Sequence, residues 1–410
     1  MILNYIWLSF FIIAFLSVCY SFFINGNGEI LQQFVTSIFE AAKNGFEISI
    51  GLTGVMCLWL GLVKIGERSG LISLLSRVLS PFLGKFFPEI PKNHPALGEI
   101  TLNFSANMLG LDNAATPLGL KAMNSLQELN PNKTTASNSQ IMFLVLNTAG
   151  LTLIPVTVFL YRAQEHAANP TDVYLPIVIT TFIGTLAGLL SVSLIQKINF
   201  FQPAIILPLI IFISALGAGI YFIHELSKEK IALISSNAGN GLLILVIMTF
   251  LVSGLLKKLN VFEIFIEGAK EGFEVAIKII PYLVGILIAV AAFRSSGAMD
   301  FFIKIVESSF TFFGCRSEFV AALPTGIMKS LSGGGARAMM IETMHHYGAD
   351  SIPGRIVSIF QGSSDTTFYI LAVYFGSVGI KNSRYALACG LISDFVAVAS
   401  GIIIGYLFFG

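Results

Sequence analysis

The sequence predicts an all-α polytopic membrane protein, and three observations lead to this fold class. Of the 410 residues, 55% are hydrophobic and only 11% are charged, whereas a soluble domain carries about 25% charged residues. Apolar runs long enough to cross a bilayer recur along the chain. Several of these runs are interrupted by polar residues, glycine or proline, which is typical of broken or re-entrant helices that face protein, water or a ligand.

Charge and motif content exclude several functions. The formal net charge is +1, so nothing indicates a nucleic-acid partner. Glu342 and His345 have the spacing found in di-iron helices, but no second Glu-x-x-His motif exists. The chain has no phosphate-binding loop, and its four cysteines are expected to serve packing. We therefore expect no enzyme activity, no catalytic residue, no metal and no cofactor other than a coupling H+ or Na+.

The first half of the chain alternates plain and interrupted segments. Residues 5–24 are expected to form a retained spanning helix, because no basic residue precedes them as in a cleaved signal. Residues 48–63 have glycines spaced for close helix packing, and residues 71–87 are amphipathic and are expected to lie along the interface. Residues 97–123 are predicted to be broken or re-entrant. Residues 140–161 are predicted to span with a polar interior.

The second half follows a similar course after a polar stretch at residues 227–240, which is expected to be a loop. Residues 262–278 are amphipathic and lead into a span. Residues 323–344 are predicted to be broken, and the polar run at residues 361–367 is expected to lie in a spanning helix. Ordinary spans are predicted over residues 175–195, 204–222, 242–256, 279–293 and 385–409.

An internal duplication accounts for this similarity. Residues 42–47 (AKNGFE) are matched by residues 269–274 (AKEGFE), and Gly70 is matched by Gly297 at the same spacing. An odd number of crossings in the first half would place the second repeat upside down, as in many secondary transporters. The sequence therefore predicts an N-terminal helix over residues 1–30, a first half over residues 31–226 and an inverted second half over residues 227–410.

Loop charges predict the orientation. Lys and Arg are more frequent on the side that holds residues 64–92 and the pair Lys257 and Lys258, so this side is expected to be cytoplasmic. The stretch at residues 227–240 is then expected to lie outside.

Several motifs resemble known families. Residues 147–155 (NTAGLTLIP) resemble the spore maturation protein A family. Residues 361–369 (QGSSDTTFY) and 374–380 (YFGSVGI) resemble the spore maturation protein B family. Over about residues 31–409 the chain is similar to a fusion of the two, and both belong to the nucleoside-recognition or gate-domain group, which is similar to concentrative nucleoside transporters. The resemblance implies two gate-domain repeats in the bacterial cytoplasmic (inner) membrane, but it implies no substrate.

Polar residues inside the interrupted segments predict a substrate site at the interface of the two repeats. Its expected lining is Asn107, Asp112, Asn113, Asn147, Thr148, Gly334, Arg337, Gln361, Ser364 and Asp365. The triple glycine at residues 333–335 is expected to be an unwound tip whose backbone groups are free for a ligand, because glycine is a poor helix former; the alternative is that the glycines only form a tight hairpin. Asp365 either forms a structural ion pair with Arg337 or faces the substrate together with it. Asp112 and Asp365 are the candidates for a coupling-ion site.

The predicted function is a secondary permease for a small polar solute. The alternative is a non-transporting membrane scaffold or regulator of cell-envelope or spore maturation. An intramembrane enzyme is disfavoured, because the sequence shows no pair of a nucleophile and a base. The expected partners are the solute and the lipid bilayer, and self-association into a homo-oligomer is left open.

Overall fold

A computed structural model describes residues 2–410 with gaps at residues 92–93, 111, 200–201, 204–205, 208–209, 212, 215–216, 219–225 and 313–315. The described residues are mostly α-helical and form no β-strand beyond a single bridge between Thr135 and Asn382. Within the described parts of the chain, six helices are long and apolar enough to cross a membrane: Tyr5–Phe23, Ile30–Ser69, Tyr174–Gln196, Glu229–Leu256, Val261–Ser295 and Ala386–Phe409. The predicted class, an all-α multi-pass membrane protein, is confirmed.

Apart from helical residues between positions 203 and 218, where several residues are not described, the helices form two successive series with the same order of elements. The first series is α1 (Ile2–Phe23), α2 (Ile30–Ser69), α3 (Leu71–Leu83), α4 (Pro95–Met108), α5 (Asp112–Leu129), α6 (Asn138–Ala149), α7 (Val156–Gln164) and α8 (Tyr174–Gln196). The second series is α9 (Lys228–Leu256), α10 (Val261–Ser295), α11 (Ala298–Phe312), α12 (Leu323–Leu331), α13 (Gly333–Tyr347), α14 (Ile352–Ser363), α15 (Thr367–Ser377) and α16 (Ala386–Phe409). Each series contains one very long helix, a shorter helix, a helical hairpin, a broken helix and a final span. The predicted span at residues 204–222 falls largely in the gaps.

The turns that follow the two long helices are equivalent. Gly70 separates α2 from α3 with φ 84°, and Gly297 separates α10 from α11 with φ 77°. This left-handed conformation is costly for residues other than glycine. The two glycines are 227 positions apart, as are the matching motifs at residues 42–47 and 269–274.

The long helices α2 and α10 pack against each other in opposite directions. A methyl group on Gly45 would lie 3.0 Å from Val284 Cγ2, and one on Gly272 would lie 2.8 Å from the Cα atom of Cys57. Both Gly45 and Gly272, and Cys57 and Val284, are 227 positions apart. Such reciprocal contacts are typical of a two-fold relation. They support the inverted arrangement of the repeats, which stays a prediction, as do the domain boundaries.

Helices α1 and α9 occupy matching positions beside the long helices. Ser17 Oγ donates to the carbonyl oxygen of Ser296 at 2.6 Å. Ser253 Oγ donates to Ser69 Oγ at 2.8 Å. Because Ser69 and Ser296 are also 227 positions apart, α1 takes the place in the first series that α9 takes in the second.

The prediction of a loop at residues 227–240 is wrong, because α9 begins at Lys228. The polar residues of this stretch lie on a helix and form hydrogen bonds with the start of α8 and the residues just before it. Thr171 Oγ1 donates to Asn240 Oδ1 at 2.9 Å, and the backbone N–H of Leu175 donates to Ser235 Oγ at 3.0 Å. Polarity in this stretch reflects a helix–helix contact.

The interrupted segments are more broken than the sequence predicts. The stretches at residues 97–123 and 323–344 are indeed split, into α4 with α5 and α12 with α13. The segments expected to span with polar interiors, however, are not continuous helices. The first stops at Gly150, which has φ 56°, and resumes after Pro155. The second stops at Ser364, whose backbone is extended. Asp365 therefore lies in a break.

Candidate functional site

The breaks of the two broken helices are in contact. The backbone N–H of Asp365 donates to the carbonyl oxygen of Thr148 at 2.8 Å. Gly150 allows this approach, because a methyl group there would lie 3.0 Å from the Asp365 nitrogen. The ends of the four half-helices α6, α7, α14 and α15 thus belong to two crossing breaks. Helix ends carry unpaired backbone groups and partial charges that are available to a ligand.

A cavity of about 120 Å³ lies beside this crossing. Both halves of the chain contribute to its wall. Six of the predicted site residues line it: Asn107, Asn147, Arg337, Gln361, Ser364 and Asp365. We call this space the inner cavity.

The other four predicted residues are placed differently. Thr148 is fully buried, and its hydroxyl donates to the carbonyl oxygen of Leu144 at 2.9 Å. Gly334 does not line the inner cavity, but its neighbour Gly333 does. The side chains of Asp112 and Asn113 lie outside the described residues.

The prediction that the glycine triplet is unwound is wrong, and the structure instead has a tight hairpin between α12 and α13, whose turn is Ser332, next to the triplet. Gly333 is the first residue of α13, and the chain is extended only at Ser332 (φ −155°, ψ 114°). Ser332 Oγ accepts a hydrogen bond from the Gly335 backbone N–H at 3.1 Å, as an N-cap residue does. The cap overrides the poor helix propensity of glycine and places the start of a helix at the cavity.

A hydrogen-bonded network holds the amide side chains of the first half. Asn107 Nδ2 donates to Asn147 Oδ1 at 3.0 Å. The hydroxyl of Tyr374, from α15, donates to the same oxygen at 3.3 Å. Asn147 Nδ2 in turn donates to the Phe143 carbonyl oxygen at 2.9 Å. This part of the wall is therefore fixed by residues from both halves.

The charged residues of the second half are not paired with each other. Asp365 is exposed to the cavity, and its carboxylate accepts a hydrogen bond from the Thr366 backbone N–H at 2.6 Å. The Arg337 guanidinium lies 5.7 Å from the ring centroid of Tyr161. Among the described residues, no ion pair within 4.0 Å joins Asp365 to Arg337, and Arg337 Nε has no hydrogen-bond partner. Of the two alternatives raised by the sequence, the geometry favours the one in which both side chains face the cavity.

The sequence analysis missed two further ionisable residues at the site, one in the cavity wall and one buried next to it. Lys329 lines the inner cavity, and its ammonium donates to the Gln361 carbonyl oxygen at 2.9 Å. Asp394 lies in α16 with 3% exposure, and its carboxylate accepts a hydrogen bond from Thr367 Oγ1 at 2.6 Å. A lone carboxylate in the middle of the last apolar run was the available signal, because ionisable residues inside membrane segments are costly and usually functional.

A larger cavity of about 500 Å³ opens at one end of α2 and α10. Its lining includes Glu40, Asn44, Glu47, Glu165, Ala291, Arg294, Ser295, Glu342 and His345. We call it the vestibule.

The vestibule and the inner cavity share two helices. On α13, Arg337 lines the inner cavity and Ile341, one turn later, lines the vestibule. On α7, Val158 lines the inner cavity, whereas Gln164 lines the vestibule. The contact between Arg337 and Tyr161 therefore lies at the boundary between the two spaces.

The other end of α2 and α10 carries ion pairs between the two helices. Lys64 Nζ lies 2.7 Å from Glu271, and Arg68 Nη2 lies 2.9 Å from Glu267. The residues 227 positions away from Lys64 and Arg68 are Ala291 and Ser295, which line the vestibule. Equivalent positions of the repeats thus line a cavity at one end and form ion pairs between the helices at the other.

Burial shifts the pKa of one carboxyl group in the vestibule, that of Glu165. Glu165 follows α7 and lies beside His345, with Oε2 3.5 Å from Nδ1. Burial raises the pKa of Glu165, while His345 and His166 oppose this shift. Glu342 pairs with Arg294.

The sequence of the chain is similar to one protein family and to two characterised bacterial proteins. The family described as "Gate: Nucleoside recognition" matches residues 49–164 and 276–381, which together make up more than half of the chain. Spore maturation protein A of Bacillus subtilis (strain 168) is 43% identical over 187 residues, which cover 46% of this chain and 92% of that protein. Spore maturation protein B of the same organism is 45% identical over 166 residues, which cover 40% of this chain and 92% of that protein. No solved structure matches the chain. The predicted resemblance to both families is confirmed.

Proposed function

Because the chain belongs to the nucleoside-recognition (Gate) family and is similar to both spore maturation proteins A and B, we propose that it is a membrane permease. It binds one small polar solute in the inner cavity, where the two broken helices cross. We place it in the bacterial cytoplasmic membrane, the location that the family resemblance implies.

The observation that carries this proposal is the hydrogen bond between Asp365 and Thr148, which joins the breaks of two matching helices. Discontinuous helices that meet between repeats supply free backbone groups and helix-end charges to a solute, as they do in many secondary transporters. A protein with a purely structural role would have little use for two such breaks at one point, because broken backbone inside a membrane is costly.

The two ends of the α2–α10 pair support the same function. In the proposed permease the vestibule is the entrance toward the inner cavity from one end, and the pairs of Lys64 with Glu271 and of Arg68 with Glu267 hold the two long helices together at the other. A permease needs a second state in which these conditions are exchanged. Two repeats with equivalent surfaces at both ends can provide it.

Ligand-dependent stabilisation is the first test. The purified protein is heated in detergent with nucleosides, amino acids, short peptides and divalent metals, and the melting temperature is recorded. A bound solute stabilises the folded state by mass action, so we expect one solute class to raise the melting temperature. The same solute should enter proteoliposomes that contain the protein. If no solute stabilises the protein and none is taken up, the scaffold or regulator alternative replaces the permease.

A further inference from the structure

The inner cavity is lined by the carboxylate of Asp365 and by the cationic side chains of Lys329 and Arg337, and Asp365 and Arg337 are not paired with each other. The Asp365 carboxylate has the backbone N–H of Thr366 as a hydrogen-bond donor, and Arg337 Nε has no acceptor among the described residues. A charge at membrane depth is costly unless it meets a counter-charge or a ligand. A solute that carries both a negative and a positive group would satisfy both side chains at once.

The start of α13 favours a carboxylate on the Arg337 side. Gly333, in the cavity wall, and Gly334 lie in the first helical turn, whose backbone N–H groups have no partner within the helix. Arg337 is one turn further along the same helix. Backbone N–H groups, the positive end of the helix dipole and a guanidinium together form a site suited to a carboxylate.

The Asp365 side of the cavity offers acceptors. Besides the carboxylate, Gln361 Oε1 is buried and has no hydrogen-bond donor among the described residues. The ammonium of Lys329 is directed to the Gln361 backbone carbonyl. An ammonium group has three donors and no acceptor, so it matches this side of the cavity.

Cavity size and the approach path limit the solute further. A volume of about 120 Å³ corresponds to roughly four water molecules at about 30 Å³ each, whereas drug-sized ligands occupy cavities of about 300–1,000 Å³. The vestibule carries the carboxylates of Glu40, Glu47 and Glu165, which disfavour the entry of a simple anion.

We propose that the solute is a small zwitterion of amino-acid type, with its carboxylate at Arg337 and the start of α13 and its ammonium at Asp365 and Gln361. This inference rests on the proposed permease function and names the chemical class of its solute.

Binding of matched small molecules to the full-length protein tests the proposal. Alanine carries both charges, propionate lacks the ammonium, ethylamine lacks the carboxylate, and uridine represents the nucleosides. Isothermal titration in detergent should show that alanine binds about tenfold more tightly than propionate or ethylamine, because each analogue loses one charge-assisted contact. Glycine and β-alanine extend the zwitterion set.

Two variants separate the roles of the charged residues. Asp365→Asn should reduce alanine binding to the level of propionate while leaving propionate binding unchanged. Arg337→Gln should reduce alanine binding to the level of ethylamine while leaving ethylamine binding unchanged. This crossover would not arise from misfolding, which removes all binding. Glu128→Gln, on an exposed residue away from the site, is the control and should match the unmodified protein.

Each contrary result has a distinct meaning. Binding of uridine without binding of any zwitterion would overturn the zwitterion and leave the permease standing. Equal losses of all ligands in both variants would overturn the assigned roles of Arg337 and Asp365. Failure of every solute, both here and in the wider stabilisation screen, would reject the zwitterion and the permease together.

Discussion

The backbone N–H of Asp365 donates a 2.8 Å hydrogen bond to the carbonyl oxygen of Thr148, so the break of one repeat is tied to the break of the other. The bond uses a carbonyl group that the last turn of α6 would otherwise leave unpaired. It also holds the Asp365 side chain at the wall of the inner cavity. The position of this carboxylate therefore depends on residues more than two hundred positions away.

Replacement of Gly150 should weaken this crossing. Gly150 has φ 56°, and a methyl group there would lie 3.0 Å from the Asp365 nitrogen. Gly150→Ala should lower stability by about 1–2 kcal/mol from backbone strain alone, with an added loss from the close contact, seen as a lower melting temperature. Gly150→Asn, which tolerates the left-handed conformation better, isolates the contact. Gly241→Ala is the control, because open space surrounds Gly241. Equal melting temperatures for all three variants would contradict the crossing.

A buried charge cluster should be essential to the junction between α7 and α14. Arg162 has 0% exposure, and its guanidinium lies 2.9 Å from Asp172 and 3.0 Å from Asp350. Removal of one member of a buried ion pair costs about 3–5 kcal/mol when the other is left alone; here Asp172 keeps Arg355 at 2.9 Å as a second partner, so we expect the lower part of this range. Arg162→Met should therefore strongly lower the melting temperature or abolish purification of the folded protein. Arg77→Met, at an exposed position, should change it little. Similar results for the two variants would show that the cluster contributes no stability.

The hydrogen bond between Thr367 and Asp394 should matter more than the charge of Asp394. Asp394→Asn keeps a side-chain oxygen that can accept from Thr367 Oγ1, so we expect a change within about 1 kcal/mol. Thr367→Val removes the donor to a buried carboxyl group and should cost about 1–3 kcal/mol. Thermal unfolding of both variants in detergent checks this order. The reverse order would mean that the Asp394 charge itself stabilises the fold.

Removal of the ion pairs of Lys64 and Arg68 should make the space between α2 and α10 at this end more accessible to a water-soluble reagent. Lys64→Ala with Arg68→Ser copies the equivalent residues Ala291 and Ser295. Exposed ion pairs contribute about 0.2–1 kcal/mol each, and the double variant removes two of them. We therefore expect the labelling rate of a cysteine placed at Leu60 by a hydrophilic maleimide to rise by about two- to thirtyfold. In the same background, Glu128→Cys should be labelled at an unchanged rate. An unchanged rate at Leu60→Cys would show that these ion pairs do not close this end.

Glu165 should contribute a pH-dependent component of stability. Its pKa in the folded protein is raised above the usual 4.5 by burial, so folding favours the protonated form. This stabilisation is fully present below about pH 4.5 and is lost as the pH rises through the raised pKa. Glu165→Gln mimics the neutral form, and its melting temperature should fall less than that of the unmodified protein as the pH rises. Parallel pH profiles for the two proteins would contradict the shift.

The membrane class and the position of the hairpins could be predicted because they depend on local sequence. A low charge content and long apolar runs identify spans, and clusters such as Asn107 with Asp112 in one half and the glycine triplet with Arg337 in the other identify interruptions. The same local rules were wrong where a tertiary contact decided the conformation. Ser332 caps α13 and keeps the glycines helical, and partners on the segment before α8 keep residues 228–240 helical.

The sequence by itself determined that this chain is a duplicated membrane protein whose polar residues gather in interrupted segments, since composition, motif spacing and periodicity are properties of neighbouring residues. Only the tertiary structure decided that the two breaks cross at Thr148 and Asp365, and that Asp365 and Arg337 face one small cavity without pairing. It also decided that equivalent ends of α2 and α10 differ, with a cavity at one and ion pairs at the other. The physical reason is that such contacts join residues far apart in the chain. Their energies depend on packing across the repeats, which no local pattern records.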